Sequence, residues 1–143
     1  MVADESKYEF SADTSRIDPA RVHALLSEYA YWAAGRSRET QDAAIAGSRN
    51  YAVYVRESGE LVGYARVVTD AATFGWLADV VVDPGHRRRG LARLLVEGAL
   101  ADLAPLRLAR IVLRASDEGR ALYEDLGWKQ VDGPHEWMQR LQG

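Results

Sequence analysis

The stretch that decides the fold is Asp79–Ala92, DVVVDPGHRRRGLA. Its first residues finish an apolar run, FGWLADVVV (Phe74 to Val82), that reads as a strand. After Pro84 the period changes. Leu91, Leu94, Leu95, Ala99 and Leu103 fall near one helical face, and Pro105 stops that helix. Gly85, three arginines and Gly90 lie between strand and helix. A strand–loop–helix with small residues at the turn exposes successive backbone N–H groups, which form an anion site together with the helix dipole. Gly90 has no Cβ, so a phosphate can approach its backbone closely. Arg87, Arg88 and Arg89 can add charge-assisted hydrogen bonds. Out of this context HRRR also reads as a solvated or RNA-facing patch, and Gly90 as a plain turn glycine.

Upstream, Tyr8 to Asp13 is a short first strand. Asp18 and Pro19 are a helix cap and a first helical residue, followed by Val22, Leu25, Leu26 and Tyr29 on one face. Gly35 is expected to end this helix. Ser37 is expected to cap a second, RETQDAAIA, which Gly47 ends. YAVYV (Tyr51 to Val55) and LVGYARVV are strands joined by the turn Glu57 to Glu60, and Asp70 to Ala72 is another tight turn. Downstream, Ala109 to Arg114 is a strand. Ser116 is expected to cap a helix with Asp117 and Glu118 in its first turn and Gly127 as its breaker. Glu136 to Leu141 alternates and is expected to be a last strand. Antiparallel hairpins followed by a strand–helix–strand crossover make the class α+β with a mixed sheet.

The 143 residues suit one domain, 1–143, with a recognisable core at about 8–142. The net charge of −3 argues against a general affinity for nucleic acid or anionic membrane. The absence of Cys excludes disulfides, thiolate metal sites and Cys nucleophiles, and fits a cytoplasmic setting. No uncharged apolar run is long enough to span a bilayer. His23, His86 and His135 show no metal spacing, so no metal is expected.

Arg87-Arg88-Arg89-Gly90-Leu91-Ala92 resembles motif A of the GNAT N-acetyltransferase superfamily, R/Q-x-x-G-x-G/A, with Val82-Asp83-Pro84 matching its upstream V-x-P. Ala121 to Trp128, ALYEDLGW, resembles that superfamily's A-x-x-L-Y-x-x-x-G-F region, with Trp128 in place of Phe and Ser116 where Asn is frequent. YWAAGRS (Tyr31 to Ser37), ARVVTDAATF (Ala65 to Phe74) and LADV (Leu77 to Val80) resemble a bacterial subgroup. The resemblance implies a mostly antiparallel sheet with two splayed strands, flanked by helices. It also implies an acyltransferase that uses acetyl-CoA as co-substrate, by direct attack of a primary amine in a ternary complex. The pantetheine arm is then expected along Val80, Val81 and Val82, and the pyrophosphate on the N–H groups of Arg87 through Ala92, with Ser116 as a further contact. The Val80 N–H is expected to polarise the thioester carbonyl. Tyr123 is expected to protonate the leaving thiolate, and Asp79 to act as base or amine anchor. Without a Cys, the ternary route is favoured over a covalent intermediate.

These residues also have plainer readings. Tyr123 fits a half-buried aromatic, and Asp79 a strand residue paired with an arginine. Asp70 fits a turn former, while Trp32, Arg36 and Ser37 fit helix closure and capping. Trp76 and Trp137 read most simply as core. For the acceptor, Asp70, Asp79 and the carboxylates of the first helix suggest a cation. Arg36 and Arg66, if they face the pocket, suggest a carboxylate instead, with Trp32 nearby. A small-molecule or peptide amine acceptor and a homodimer complete the expectation. The alternative function is a CoA-binding sensor or regulatory domain without turnover.

Overall fold

A computed structural model describes residues 2–142. The chain divides into two compact units, residues 1–113 and 114–143, each taken by itself.

The first unit is a five-stranded sheet in sequence order: β1 (Tyr8–Ser11), β2 (Arg49–Val55), β3 (Leu61–Thr69), β4 (Phe74–Val82) and β5 (Arg110–Leu113). β1 to β4 are antiparallel neighbours, and β5 joins β4 in parallel after the crossover through α3 (Leu91–Leu103). This is the mixed, mostly antiparallel sheet expected. β2 and β3 are buried on both faces and so carry near-continuous apolar runs. On one face α1 (Pro19–Tyr29) and α2 (Arg38–Ala46) lay Val22, Leu25, Leu26 and Ile45 into a core with Ala52, Tyr54, Tyr64 and Val81. On the other, α3 buries Leu91, Leu95, Val96, Ala99 and Leu103. Leu95 comes so close to Gly63 that a Cβ there would sit 3.1 Å from it. A methyl at Gly98 would collide with the Phe10 ring, which stacks on Tyr51. Fully burying each of these Leu or Val side chains contributes roughly 1.5–3 kcal/mol.

The local signals for α1 and α2 act as expected. The Asp18 carboxylate accepts from the Arg21 N–H at 3.2 Å with Pro19 at the first helical position. The Ser37 hydroxyl accepts from the Thr40 N–H at 3.1 Å, and Gly47 closes α2. α1, however, ends at Tyr29 instead of reaching Gly35. The Ala30 N–H closes on Leu26, a single 3-10 turn covers Tyr31–Ala33, and Gly35 serves a later left-handed turn at φ +81°.

The second unit holds α4 (Arg120–Asp125) and a 3-10 turn at Pro134–Glu136. α4 starts later than the Ser116 cap suggests. The Ser116 hydroxyl accepts from the Gly119 N–H at 3.1 Å, forming an isolated turn that leaves Asp117 and Glu118 ahead of the helix. Gly127 follows α4 at φ +102°, as a breaker does. Residues 136–141 form no strand. Gly133 and Pro134 turn the chain into the 3-10 segment, and alternation alone supplies a face without the ladder partner that makes a strand. Neither tryptophan expected in the core is buried: Trp76 is 40% exposed and Trp137 41%. Trp76 lies between the buried Gly75 and Leu77, so strand alternation turns it to the other face. Among the described residues no helix is long and apolar enough to cross a membrane, and no group of side chains could hold a metal ion.

Candidate active site

β4 is the element on which the site is built. It pairs with β5 from Phe74↔Arg110 to Leu77↔Leu113, then runs on to Val82 beyond that ladder. On its other edge the Asp83 N–H bonds the Val62 carbonyl at 2.8 Å, and Gly63 faces Val82. That makes Gly63–Val82 a pair whose own amides point away from each other, so the Val82 backbone faces the open edge. Val81 is paired with Tyr64 and 4% exposed. Its side chain belongs to the α1 core, so its part is to fix the strand.

The ladder between β3 and β4 is irregular between Tyr64 and Arg66, opposite Asp79. Asp79 stands there at φ +57°, a left-handed conformation uncommon outside glycine, and is 4% exposed. Its carboxylate is fully engaged. It accepts from Arg66 Nε at 2.7 Å, Arg36 Nη1 at 2.7 Å and Trp32 Nε1 at 2.9 Å, with Arg36 Nη2 at 3.4 Å. Burial pushes the Asp79 pKa up, but the hydrogen bonds and charges of Arg36 and Arg66 outweigh it and hold the carboxyl below its ordinary value. An ionised carboxylate so held is a poor proton acceptor. The geometry therefore corrects the base role expected of Asp79 and favours the arginine-paired reading.

Around Asp79 the partners are themselves braced. Arg36 Nη1 also donates to Gln41 Oε1 at 2.9 Å, while the buried Gln41 Nε2 has no hydrogen-bond partner among the described residues. Arg66 Nη1 donates to the Ser48 hydroxyl at 3.2 Å, and the Arg66 guanidinium lies 5.7 Å from the centre of the Trp76 ring. Asn50 ties the α2–β2 turn by donating to the Ile45 and Ser48 carbonyls and accepting from the Tyr64 hydroxyl. The sequence grouped Arg36 and Arg66, with Trp32 nearby, as a candidate carboxylate site and gave Asp79 a role of its own. It missed Gln41 and Ser48, which carry no signal beyond helix capping and turn composition. Asp70 stands outside this cluster. It accepts from the Ala72, Thr73 and Phe74 N–H groups and the Thr73 hydroxyl, which hold its carboxyl well below the usual range. That makes Asp70 a turn former, and the expectation that it touches substrate is withdrawn.

β4 leads into the arginine loop. The Asp83 carboxylate accepts from the Gly85 N–H at 2.8 Å and from Arg21 Nη2 at 2.6 Å, and Arg21 also donates to the Leu61 carbonyl at 3.0 Å. Thus α1 holds the start of the loop. Arg88 and Gly90 are left-handed, at φ +61° and +73°, and Gly90 opens α3 with no side chain capping it. The first N–H groups of α3, from Leu91 and Ala92 on, are therefore left for an anion. Arg87, Arg88 and Arg89 are exposed. Together with Asp4, Lys7 and Tyr8 they line a cavity of about 450 Å³, and the Tyr8 hydroxyl shares a 2.8 Å hydrogen bond with His86 Nδ1. These features suit a phosphate group.

The sequence model of the Acetyltransferase (GNAT) family matches residues 19–128. The chain belongs to that family. A Xanthomonas campestris structure described as a putative GNAT-family acetyltransferase is 32% identical, with a TM-score of 0.87, over 94% of this chain and 93% of that one. The ribosomal protein bS18-alanine N-acetyltransferase of Escherichia coli is 32% identical over 119 residues, 79% of this chain and 75% of that protein. A soybean protein named histone acetyltransferase TAP1 is 33% identical over 73 residues, 51% of this chain, which spans only 32% of that relative.

In the second unit Tyr123 packs edge-on against Trp128, with ring centres 5.8 Å apart. Burial raises the Tyr123 pKa above the ordinary phenol value, so its hydroxyl keeps its proton near neutral pH. Ser116 holds the Gly119 N–H.

Proposed function

We propose that this GNAT-family chain is an N-acetyltransferase that moves the acetyl group of acetyl-CoA to a primary amine by direct attack in a ternary complex. The observation that carries the reading is the continuity of β4 and α3. β4 outruns its pairing with β5 and leads, through left-handed Arg88 and Gly90, to a helix N-terminus that no side chain caps. The backbones of Val80 and Val82 offer the open edge to a pantetheine arm as a substitute strand. The N–H groups from Gly90 to Ala92 take the pyrophosphate, and Arg87 to Arg89 add charge around it.

The thioester supplies the acetyl group, and the residues of the chain supply orientation and proton handling. The Val80 N–H polarises the carbonyl, and Tyr123, kept protonated by burial, gives the leaving sulfur its proton. Asp79 positions the strand by anchoring its irregularity to Arg36 and Arg66, and water takes the amine proton. Ser116 is a secondary contact. The setting in this reading is bacterial and cytoplasmic, and the protein acts as a homodimer.

The test pairs a melting curve with thiol release. Millimolar acetyl-CoA raises the melting temperature, and an amine acceptor then releases CoA thiol. Stabilisation without thiol release from any amine would leave a CoA-binding sensor, and no shift at all would defeat both readings.

A further inference from the structure

The cluster around Asp79 contains two guanidiniums and one carboxylate, so it carries a net positive charge where Arg66 is 8% and Asp79 4% exposed. Arg66 donates through Nε and Nη1 and Arg36 through Nη1 and Nη2, and the buried Gln41 Nε2 has no hydrogen-bond partner among the described residues. Uncompensated positive charge and a spare buried amide donor at one place favour an incoming anion, and the guanidinium fork matches a carboxylate. Two large exposed rings flank the same groups. Trp32, 43% exposed, donates to Asp79, and Trp76, 40% exposed, lies beneath Arg66. Of the carboxylates expected to receive a cationic acceptor, Asp70 is committed to its own turn and Asp79 to its arginines.

We propose that the acceptor is an amine that carries its own carboxylate, a free amino acid or close aminocarboxylate, whose carboxylate is taken by Arg36 and Arg66 between the Trp32 and Trp76 rings. This rests on the acetyltransferase reading and names its substrate class. Asp79 directly precedes Val80, so a carboxylate held at the cluster brings an amine a few bonds away to the strand edge. The positive cluster disfavours a dication such as a polyamine, and it lowers the pKa of an amine brought beside it, which supplies the neutral nucleophile. In the step, the nitrogen lone pair forms the new N–C bond and the C–S bond breaks with its electrons going to sulfur. The nitrogen loses one proton and the sulfur gains one, giving an N-acetyl amino acid and CoA thiol.

The test is thiol release by the purified chain at saturating acetyl-CoA with the standard L-amino acids, the carboxamide of each, and spermidine. The expected result is at least one free amino acid turned over with kcat/KM about 10²-fold or more above its own amide, because the amide leaves the arginines without their anion. In Arg36→Gln that advantage shrinks at least about tenfold, through KM, whereas a merely structural loosening lowers amino acid and amide together. An amide or spermidine equal to the best amino acid overturns the proposal. If acetyl-CoA raises the melting temperature but no amine is acetylated, N-acetyl amino acids are added with CoA: further stabilisation by one of them supports the carboxylate site, and none overturns it. If acetyl-CoA gives no shift, the acetyltransferase reading falls. The carboxylate site is then read separately, from whether free amino acids raise the melting temperature where their amides do not.

Discussion

Two groups of arginines in this chain do opposite work. Arg87, Arg88 and Arg89 are consecutive and exposed, beside a helix N-terminus whose backbone N–H groups no side chain caps. Arg36 and Arg66 are far apart in sequence, and both are bonded to one buried carboxylate. The first group is local and tolerant, because backbone donors do not depend on side-chain identity. The second is assembled by the fold and exacting, because removing one partner leaves charge uncompensated in a poorly solvated place.

If the loop binds through its backbone and chemistry is left to separate side chains, affinity and turnover should come apart. Tyr123→Phe removes one oxygen outside both arginine groups. Acetyl-CoA affinity should stay nearly constant in a binding titration, while single-turnover rate falls by roughly 10²–10⁴-fold. A wild-type single-turnover rate would make Tyr123 a packing residue.

Asp79→Asn breaks the exacting group. Leaving the buried Arg66 guanidinium and the half-buried Arg36 guanidinium uncompensated should cost about 3–5 kcal/mol in denaturant unfolding at neutral pH, offset slightly because Asn tolerates the left-handed conformation well. The pH dependence has a definite sign. The folded pKa of Asp79 lies below its unfolded value of about 3.9, so its contribution is fully present above that pH and is lost as the pH falls through the folded pKa. The difference in stability between wild type and Asp79→Asn should therefore shrink below about pH 4. A difference that stayed flat with pH would detach Asp79 from the arginines.

Gly90→Glu attacks the tolerant group at its one demanding position. Wild type should gain about 2.7 kcal/mol at acetyl-CoA one hundred times its Kd, and the variant should gain nothing. The variant without ligand should lose only about 1–2 kcal/mol, for a side chain forced to positive φ. A retained melting shift would move the phosphate site elsewhere.

The smallest effects belong to the exposed arginines singly. Arg87→Ala, Arg88→Ala or Arg89→Ala should each cost about 0.2–1 kcal/mol of acetyl-CoA binding, and less at high salt, in titrations at two ionic strengths. A tenfold loss that persists in high salt would place that arginine among the buried type.

What the sequence determined by itself is what short-range rules govern. Asp18 with Pro19, Ser37 and Gly47 mark helix ends, because capping groups act within three or four residues. The Phe74–Val82 strand, the Gly90 turn and the apolar stripe of Leu91 to Leu103 were legible together, and with them the strand–loop–helix proposed to hold the phosphates. Tertiary structure decided the rest. Residues 136–141 alternate like a strand yet form none, because a ladder needs a partner that alternation does not supply. Trp76 reads as core by hydrophobicity, but the pleat turns it to Arg66. That Arg36, Arg66 and Trp32 converge on Asp79 was not legible, since the four come from β4, the turns after α1, and β3, and meet only once the sheet and helices have packed. Whether that carboxylate is a base or an arginine-held anchor depends on which charges surround it, and that is fixed by packing across long sequence separations, which no local pattern encodes.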